Sequence, residues 1–426
     1  MEAGALSAWR EYRRQLLFGA VLAVASWAVI SWVHVFADWL FGDARYYEGW
    51  GNLITSHELP YRDFHLEYPP GALPAFMVPV YLRKASGYHG SYFDWLRVEI
   101  LVLQLGCLWT MAVALVRLGA SQRRAWWALA AGGAASGILG PIAFFHYDWW
   151  PALLAVAALA ALLAGRGVLA CALAVLGATA KVFPVVLLPF ALAELWRRGR
   201  ARAVALGVGA AALVLLAVVG PFAVLAPHGL TWAVHREAAR PLEVESTASS
   251  LFLVAHELAG YDLHKAWAAG SMSLHGGGPH VAAQLAKPLT ALALLAVYLL
   301  WWRSRRGKEE LVLAFATAVT AYVVFSKVFS PQYLVWLVPV VPLVGGRVGR
   351  RATVLLLAIL GVTQVFEPYR QGEFWTFRSH WLDWLVVSRN ALVVALLVVL
   401  AEPLVRAALA RRREPAALPG ESVTDS

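Results

Sequence analysis

The chain has 426 residues, of which 60% are hydrophobic and 15% charged, and its formal net charge is +10. A soluble core cannot absorb that share of apolar side chains, so the composition indicates a polytopic membrane protein. The arginines occur in short clusters between apolar runs, which is typical of cytoplasmic loops and not of a nucleic-acid groove. Cys107 and Cys171 both lie inside apolar runs, which argues against a disulfide framework and a cysteine metal site.

The first predicted membrane span runs from Gln15 to Ala37, a mostly apolar stretch long enough to cross a bilayer. Arg10, Arg13 and Arg14 precede it, and the positive-inside rule therefore places the amino terminus in the cytoplasm. The apolar run is longer than a usual signal-peptide core, so we expect it to be retained as a span.

The next apolar segment, Ala72 to Leu82, is too short to cross and contains Pro74 and Pro79. We expect it to form a re-entrant or interfacial helix on the outer side. If it were a span, every later arginine cluster would lie outside, contrary to the positive-inside rule.

The remaining apolar runs predict an all-α polytopic bundle of about 12 transmembrane helices. After the first span, these lie near residues 93–116, 125–145, 149–165, 167–180, 182–196, 203–225, 282–302, 310–326, 332–346, 352–367 and 383–405. The inner loops then hold arginine clusters at 117–124, 166, 197–202, 303–308, 347–351 and 406–413, and both termini are cytoplasmic. The predicted location is a bacterial inner (plasma) membrane.

Within this single predicted domain, 1–426, the first outer loop covers 38–92, the second covers 226–281, and 407–426 is predicted to be a disordered cytoplasmic tail. The segment 167–196 allows two interpretations. It forms either a tilted pair of short helices that meet at Lys181 or one long kinked helix.

All 12 histidines lie on the outer side in this topology, with His34 near the outer end of the first span. His275 and His280 flank a glycine-rich loop, and no H-E-x-x-H pattern occurs. We therefore expect no metal and no cofactor.

The stretch Gly42–Gly71 is polar and turn-rich, with five carboxylates among basic and aromatic side chains. Asp43 comes just after the first span and is flanked by Tyr46 and Trp50, at the depth where an amphipathic substrate would be held. It could be a helix N-cap or a catalytic carboxylate, and its position favours the second role. Asp63 is the competing base, but the neighbouring Arg62 could pair with it and lower its basicity.

Three cations are candidates for binding an anion. Lys181 and Lys327 each fall between short apolar segments at the outer surface, and Arg240 lies beside Pro241 in the second loop. Snorkelling or solvation is the ordinary explanation, yet cations at membrane depth often mark anion sites.

Several passages together resemble the bacterial GT-C glycosyltransferases of family 87, formerly a DUF2029 group. These passages are Asp43 and Tyr46 after the first span, Pro60-Tyr61-Arg62-Asp63-Phe64, Glu67-Tyr68-Pro69-Pro70-Gly71, Ala178 to Pro184, Arg240 to Ser246, and Ser326 to Pro339. They occur in family order over residues 43–339.

The resemblance implies a GT-C-type bundle that transfers one sugar, with inversion, from a polyprenyl-phosphate donor to a lipid-linked or polymeric glycan on the extracytoplasmic face. It implies that Asp43 is the general base and that Arg240, Lys181 and Lys327 bind the donor phosphate. The implied substrate-binding residues are Tyr46, Trp50, Asp63, Glu67, Tyr68, Glu245, Ser246 and Gln332. We expect a monomer with membrane lipids and no nucleic acid as partners.

These motifs do not identify the transferred sugar. Some mannosyl-transferring members carry a histidine pair after the Ser-Pro of the last motif, whereas Gln332 and Tyr333 follow Ser330-Pro331 here. Mannose is the first choice and arabinofuranose the alternative. A lipid-sugar flippase or transporter is the alternative class, but the ionisable residues concentrate at the outer edges and no internal repeat occurs, which favours an enzyme.

Overall fold

The structure is a computed structural model that describes residues 2–32, 42–304, 307–367, 369–376 and 379–413. His34 and the first residues of the predicted outer loop lie outside these ranges. The helices are α1 (Glu2–Trp32), α2 (Gly42–Thr55), α3 (Leu73–Ala85), α4 (Tyr92–Leu118), α5 (Gln122–Leu139), α6 (Ile142–Phe145), α7 (Trp149–Leu163), α8 (Gly167–Ala180), α9 (Leu188–Leu225), α10 (Pro227–Ala239), α11 (Ser249–Ala259), α12 (Gly277–Arg303), α13 (Lys308–Phe325), α14 (Gly346–Phe366), α15 (Gln371–Trp375) and α16 (His380–Arg413).

Six helical segments of the described chain are long and apolar enough to cross a membrane. They are Ser7–Trp32, Tyr92–Leu118, Phe183–Leu225, Gly277–Arg303, Gly346–Phe366 and His380–Ala410. Shorter apolar helices, including α7 and α8, pack among them. The all-α polytopic class is confirmed, and the count of about 12 spans stays a prediction.

The segment 167–196 consists of two helices and not one. α8 ends at Ala180, Lys181 is extended (φ −159°, ψ 134°), and a 3-10 turn at Phe183–Leu187 leads into α9. α9 itself changes direction at Arg200, whose φ of 51° is left-handed. This bend falls between the two spans predicted at 182–196 and 203–225.

The predicted interfacial segment forms α3, which contains Pro79 and is followed by the well-capped α4. Ser91 begins α4 as a capping box, because its hydroxyl accepts from Asp94 N while the Asp94 carboxylate accepts from Ser91 N. Gly119 ends the helix in the left-handed conformation. These caps fix where the chain enters and leaves the bundle.

The second predicted outer loop contains a small sheet that the hydropathy pattern did not predict. Its strands are β1 (Leu242–Glu243), β2 (His264–Ala268) and β3 (Ser271–His275), antiparallel in the order β1-β3-β2. A separate small core of apolar side chains lies beneath it, including Leu242, Leu274 and Phe366. The sheet is thereby held against the ends of α14 and α16.

At the carboxyl end, α16 continues to Arg413. The helix therefore extends past residue 407, where the disordered tail was predicted to begin. Residues 414–426 lie outside the described residues.

Candidate active site

A cavity of about 1140 Å³ lies where the first outer loop, the small sheet and the segment after α14 meet. Its walls include the first turn of α2, the end of α6, residues of β1 to β3, the Ser330–Gln332 segment and α15. The polar and aromatic residues that line it are Asp43, Arg45, Tyr46, His146, Glu243, Glu245, Trp267, Ser271, Ser330, Gln332, Glu367, Tyr369, Gln371, Glu373, Trp375 and Thr376.

Asp43 lies in the first turn of α2, and its carboxylate lines this cavity. The side chain is 33% exposed, and Oδ2 accepts a hydrogen bond from the Tyr68 hydroxyl at 3.3 Å. A carboxylate in the first helical turn also interacts favourably with the helix dipole. The position therefore allows both alternatives from the sequence, a role at the helix end and a role in the cavity.

His146 is the second neighbour of Asp43. Its Nε2 lies 3.6 Å from Asp43 Oδ2, and its Nδ1 lies 3.0 Å from the carbonyl oxygen of Ile142. In the neutral ring, the one proton is on Nδ1 if Nδ1 donates to the Ile142 carbonyl. Nε2 can then donate to the Asp43 carboxylate only after the ring has gained a second proton. His146 can therefore position Asp43 and receive a proton from it.

Tyr68 belongs to a layer of packed aromatic rings behind the carboxylate. Its ring contacts Tyr47, Trp50 and Tyr147, with centroids 5.3 to 5.6 Å apart. Burial raises the pKa of the Tyr68 hydroxyl well above its usual range, so the group stays a proton donor to Asp43. Trp50 packs in this layer, while Tyr46 stacks on Trp50 and lines the cavity.

The Pro69-Pro70-Gly71 turn fixes Tyr68 by docking on the end of α8. A Cβ at Gly71 would lie 2.4 Å from Thr179 Oγ1, so only glycine fits this approach. The Gly71 carbonyl also accepts from Trp150 Nε1 at 3.0 Å. The motif therefore shapes the site and does not itself react.

Asp63 and Glu67 are not among the residues that line the cavity. The Asp63 carboxylate accepts from Arg62 Nε at 2.8 Å and from Leu59 N at 2.7 Å. These hydrogen bonds, that from Arg62 foremost, lower the pKa of Asp63 to about 2. The predicted Arg62 pairing is confirmed. Glu67 instead accepts from Arg236 Nε at 2.6 Å.

Lys181 lies at the break between α8 and α9 with its ammonium group against Asp148 Oδ1, at 2.7 Å. Asp148 Oδ1 also accepts from Trp336 Nε1 at 2.6 Å. The ammonium group lies over the rings of Tyr147, Tyr333 and Trp336, at 4.7 to 5.3 Å from their centroids. The Asp148 carboxylate thus balances the positive charge of Lys181. The Lys181 side chain lies beside the aromatic layer that contains Tyr68.

Arg240 and Lys327 are linked through the backbone. Lys327 Nζ donates to the carbonyl oxygens of Ala238 and Arg240, and the Arg240 guanidinium lies 3.3 Å from Glu237 and 4.0 Å from Glu243. Arg240 Nε is buried without a hydrogen-bond partner among the described residues. None of the three predicted cations is among the residues that line the cavity.

Glu243 joins two of the motif segments. Its carboxylate accepts from Phe329 N at 2.5 Å and from Ser330 Oγ at 2.7 Å. Ser246 is fully buried, its hydroxyl oxygen accepts from Ser249 N at the start of α11, and it is not among the residues that line the cavity. Of the substrate-binding residues predicted from the sequence, Tyr46, Glu245 and Gln332 line the cavity.

Sequence reasoning missed a buried charge cluster around Glu245. Arg389 NH2 lies 3.5 Å from Glu245 Oε2, and burial raises the pKa of both Glu245 and Glu367. The neighbouring Glu245 raises the pKa of Glu367 further. Arg389 and Asn390 lie inside the predicted span 383–405, in its first half, and polar residues within a span could have pointed to this cluster. Among the described residues, no group of three or more His, Cys, Asp or Glu could hold a metal ion.

The membrane-crossing helices and the cavity that Asp43 lines define a polytopic membrane protein with a candidate active site among its polar loops. A solved structure shares this fold, "Crystal Structure of ArnT from Cupriavidus metallidurans bound to Undecaprenyl phosphate", with a TM-score of 0.50 and 15% sequence identity over 92% of this chain and 78% of that one. The profile of Glycosyltransferase family 87 matches residues 64–331. That match covers more than half of the chain, so the chain belongs to family 87 and is a membrane glycosyltransferase. No curated protein matches it significantly.

Proposed function

We propose that the protein transfers one sugar residue from a polyprenyl-phosphate donor to a lipid-linked or polymeric glycan, on the extracytoplasmic face of the membrane, with inversion at the anomeric carbon. Mannose is the proposed sugar. The observation that carries the proposal is the Asp43 carboxylate, which lines a large cavity next to Tyr68 and His146 in a family 87 chain.

In the proposed reaction, an acceptor hydroxyl attacks the anomeric carbon of the donor sugar. Asp43 takes the hydroxyl proton as the new C–O bond forms and the bond to the phosphate oxygen breaks. The products are the extended glycan and a polyprenyl monophosphate. Attack from the face opposite the leaving phosphate inverts the anomeric centre.

The leaving phosphate gains charge in the transition state and needs cations. Arg240 is the strongest candidate. It is outside the cavity lining, but its charge acts on the Tyr68 hydroxyl that donates to Asp43, its Nε has no hydrogen-bond partner among the described residues, and a guanidinium suits phosphate oxygens. Lys181 and Lys327 support this region of the site. Support for a lipid phosphate also comes from ArnT, whose structure contains undecaprenyl phosphate.

The deciding experiment incubates the purified protein with labelled polyprenyl-phosphate mannose and, separately, polyprenyl-phosphate arabinofuranose, with membrane glycolipids as acceptors. A new glycosidic bond from mannose, of inverted configuration, supports the proposal. Transfer from the arabinose donor alone would replace mannose by arabinofuranose. Movement of label across vesicles without a new bond would favour a flippase.

The side of the membrane on which the site lies is tested separately. Reporters that are active only outside the cytoplasm, fused after Phe145 and after Leu225, should give activity, and a fusion after Gly199 should not. The reverse pattern would put Asp43 on the cytoplasmic side.

A further inference from the structure

The cavity that contains Asp43 is also lined by two buried carboxyl groups that the proposed reaction does not use. Glu245 is 4% exposed and Glu367 is fully buried. No donor of good hydrogen-bond geometry among the described residues faces either carboxyl oxygen of Glu367 or Oε2 of Glu245. The two carboxyls interact with each other, Gln371 lies near Glu367, and Glu245 Oε2 is 3.5 Å from Arg389 NH2. A carboxyl pair that shares one proton still has unfilled acceptor positions, and at a cavity wall these suit a ligand that supplies O–H or N–H groups.

Glu245 is held firmly from behind by α16. Arg389 NH2 donates to the Glu245 carbonyl oxygen at 2.8 Å, and Asn390 Nδ2 donates to the same oxygen at 3.1 Å. The Arg389 guanidinium offsets one of the two carboxylate charges. The site is thus pre-organised before any ligand arrives, which lowers the entropic cost of binding.

The two carboxyls also retain protons more readily than usual. Burial raises the pKa of both Glu245 and Glu367. The charge of Glu245 and the hydrogen bond between the two carboxyls raise the pKa of Glu367 further, whereas Arg389 opposes the rise at Glu245. A protonated carboxyl donates one hydrogen bond while a carboxylate accepts, so the pair offers both functions. A sugar hydroxyl, which donates and accepts at once, matches this set, whereas a phosphate anion would be repelled.

Two indole rings complete this wall of the cavity. Trp267 on β2 and Trp375 on α15 line it, with ring centroids 5.4 Å apart and planes at 66°. Trp267 is 58% exposed, so part of its apolar surface is open to a ligand. Aromatic surface beside a few fixed polar groups is the usual make-up of a small-molecule site.

We propose that Glu245, Glu367, Trp267 and Trp375 form a subsite that binds the ring hydroxyls of an uncharged sugar. This inference rests on the proposed function and specifies its substrate class. The ring belongs either to the donor or to the acceptor, since both present the same chemistry.

The experiment compares Glu367→Gln with the wild type in steady-state assays that vary donor and acceptor separately. Loss of a hydrogen bond to a charged group should lower kcat/KM by about 10 to 100-fold, mainly through the KM of one substrate. The substrate whose KM rises identifies the bound ring. Asp262→Asn removes the same charge from an exposed position of the second loop, outside the cavity lining, and should change neither KM.

Monodeoxy analogues of that sugar provide a second readout. For one analogue, activity relative to the parent sugar should fall strongly with the wild type and much less with Glu367→Gln. The carboxyl that would bind the missing hydroxyl is already absent from the variant. Unchanged KM values for both substrates, or equal losses for every analogue in both proteins, would overturn the subsite. Tighter binding of an amino-sugar analogue than of its hydroxyl parent would also overturn it, in favour of a cation site.

Two further measurements apply if Glu367→Gln does not accumulate or if the wild type shows no transfer. If Glu367→Gln fails to accumulate, Trp267→Ala at the exposed indole replaces it with the same expected rise in KM. If the wild type forms no glycosidic bond with either donor, the proposed function fails. The subsite is then judged by saturation-transfer NMR with methyl α-mannopyranoside and methyl α-arabinofuranoside, where equal signals from wild type and Glu367→Gln would refute it.

Discussion

The ammonium group of Lys327 lies 2.6 Å from the carbonyl oxygen of Arg240 and 2.9 Å from that of Ala238. One predicted phosphate-binding cation therefore holds the backbone that carries another. Burial lowers the pKa of Lys327 to about 8.

Lys327→Met should raise the KM for the donor by about 10-fold, because two carbonyls lose their donor and Arg240 is no longer fixed. Lys287→Met is the matched control, since Lys287 donates only to Ala238, at 3.0 Å. It should have the smaller effect. Equal effects of the two variants in donor-titration kinetics would contradict the positioning role.

Asp43→Asn should lower turnover by about 100 to 10,000-fold, the usual contribution of a general base, while the protein still inserts and binds donor. Asp63→Asn is the control, because Asp63 is paired with Arg62 outside the cavity lining. It should cost less or act through stability. Near-normal turnover of Asp43→Asn would return Asp43 to a helix-end role.

Tyr68→Phe removes the hydroxyl that donates to Asp43 and should lower kcat by about 10-fold with little change in folding, since one hydrogen bond contributes about 1 kcal/mol. Tyr92→Phe removes a comparable hydroxyl, which donates to the Phe76 carbonyl at 3.3 Å and not to Asp43. The comparison is made in single-turnover assays. A Tyr92→Phe loss as large as that of Tyr68→Phe would mean a general packing effect.

Lys181→Met leaves the buried Asp148 carboxylate, 1% exposed, without its cation and should destabilise the protein by about 3 to 5 kcal/mol. Lys181→Met combined with Asp148→Asn should recover much of that loss, as measured by thermal unfolding in detergent. If the recovered double variant still binds donor normally, Lys181 is structural. A weakened donor affinity in the stable double variant supports its proposed role toward phosphate.

Stability should fall as the pH rises from near 4.5 through 7. Burial raises the pKa of Glu245 to about 7 from 4.5, and it raises the pKa of Glu367 well above 4.5. The folded state therefore binds more protons than the unfolded state across this window, which costs about 1.4 kcal/mol per pH unit for each retained proton.

Glu367→Gln removes one of the two groups that retain a proton in the folded state, so its melting temperature should fall less steeply with pH. The other charged neighbours, Glu243, Lys265 and Arg389, are the same in both proteins. Melting curves of wild type and Glu367→Gln that stay parallel from pH 5 to pH 8 would contradict the assigned cause. Asp262→Asn should follow the wild type.

The hydropathy of the sequence determined the membrane class, the break at Lys181 and the short helix at α3, because these depend on the local length and polarity of the chain. The Arg62 and Asp63 pairing was predictable for the same reason, since the two residues are neighbours in sequence. The strands of the second loop were not predictable in this way. Its strands are two to five residues long, and they are fixed by pairing with each other and by packing on Phe366 and Phe374.

The sequence by itself also determined that Asp43 follows a span within an aromatic-rich loop, and the family resemblance rested on that. Only the tertiary structure decided which charges meet. Lys181 pairs with Asp148, Glu243 accepts from Phe329 and Ser330, and Glu245 lies against Arg389 and Glu367. Local sequence carries no record of these partners, because a buried charge is neutralised by whichever segment packs against it, and that is settled by the packing of distant helices.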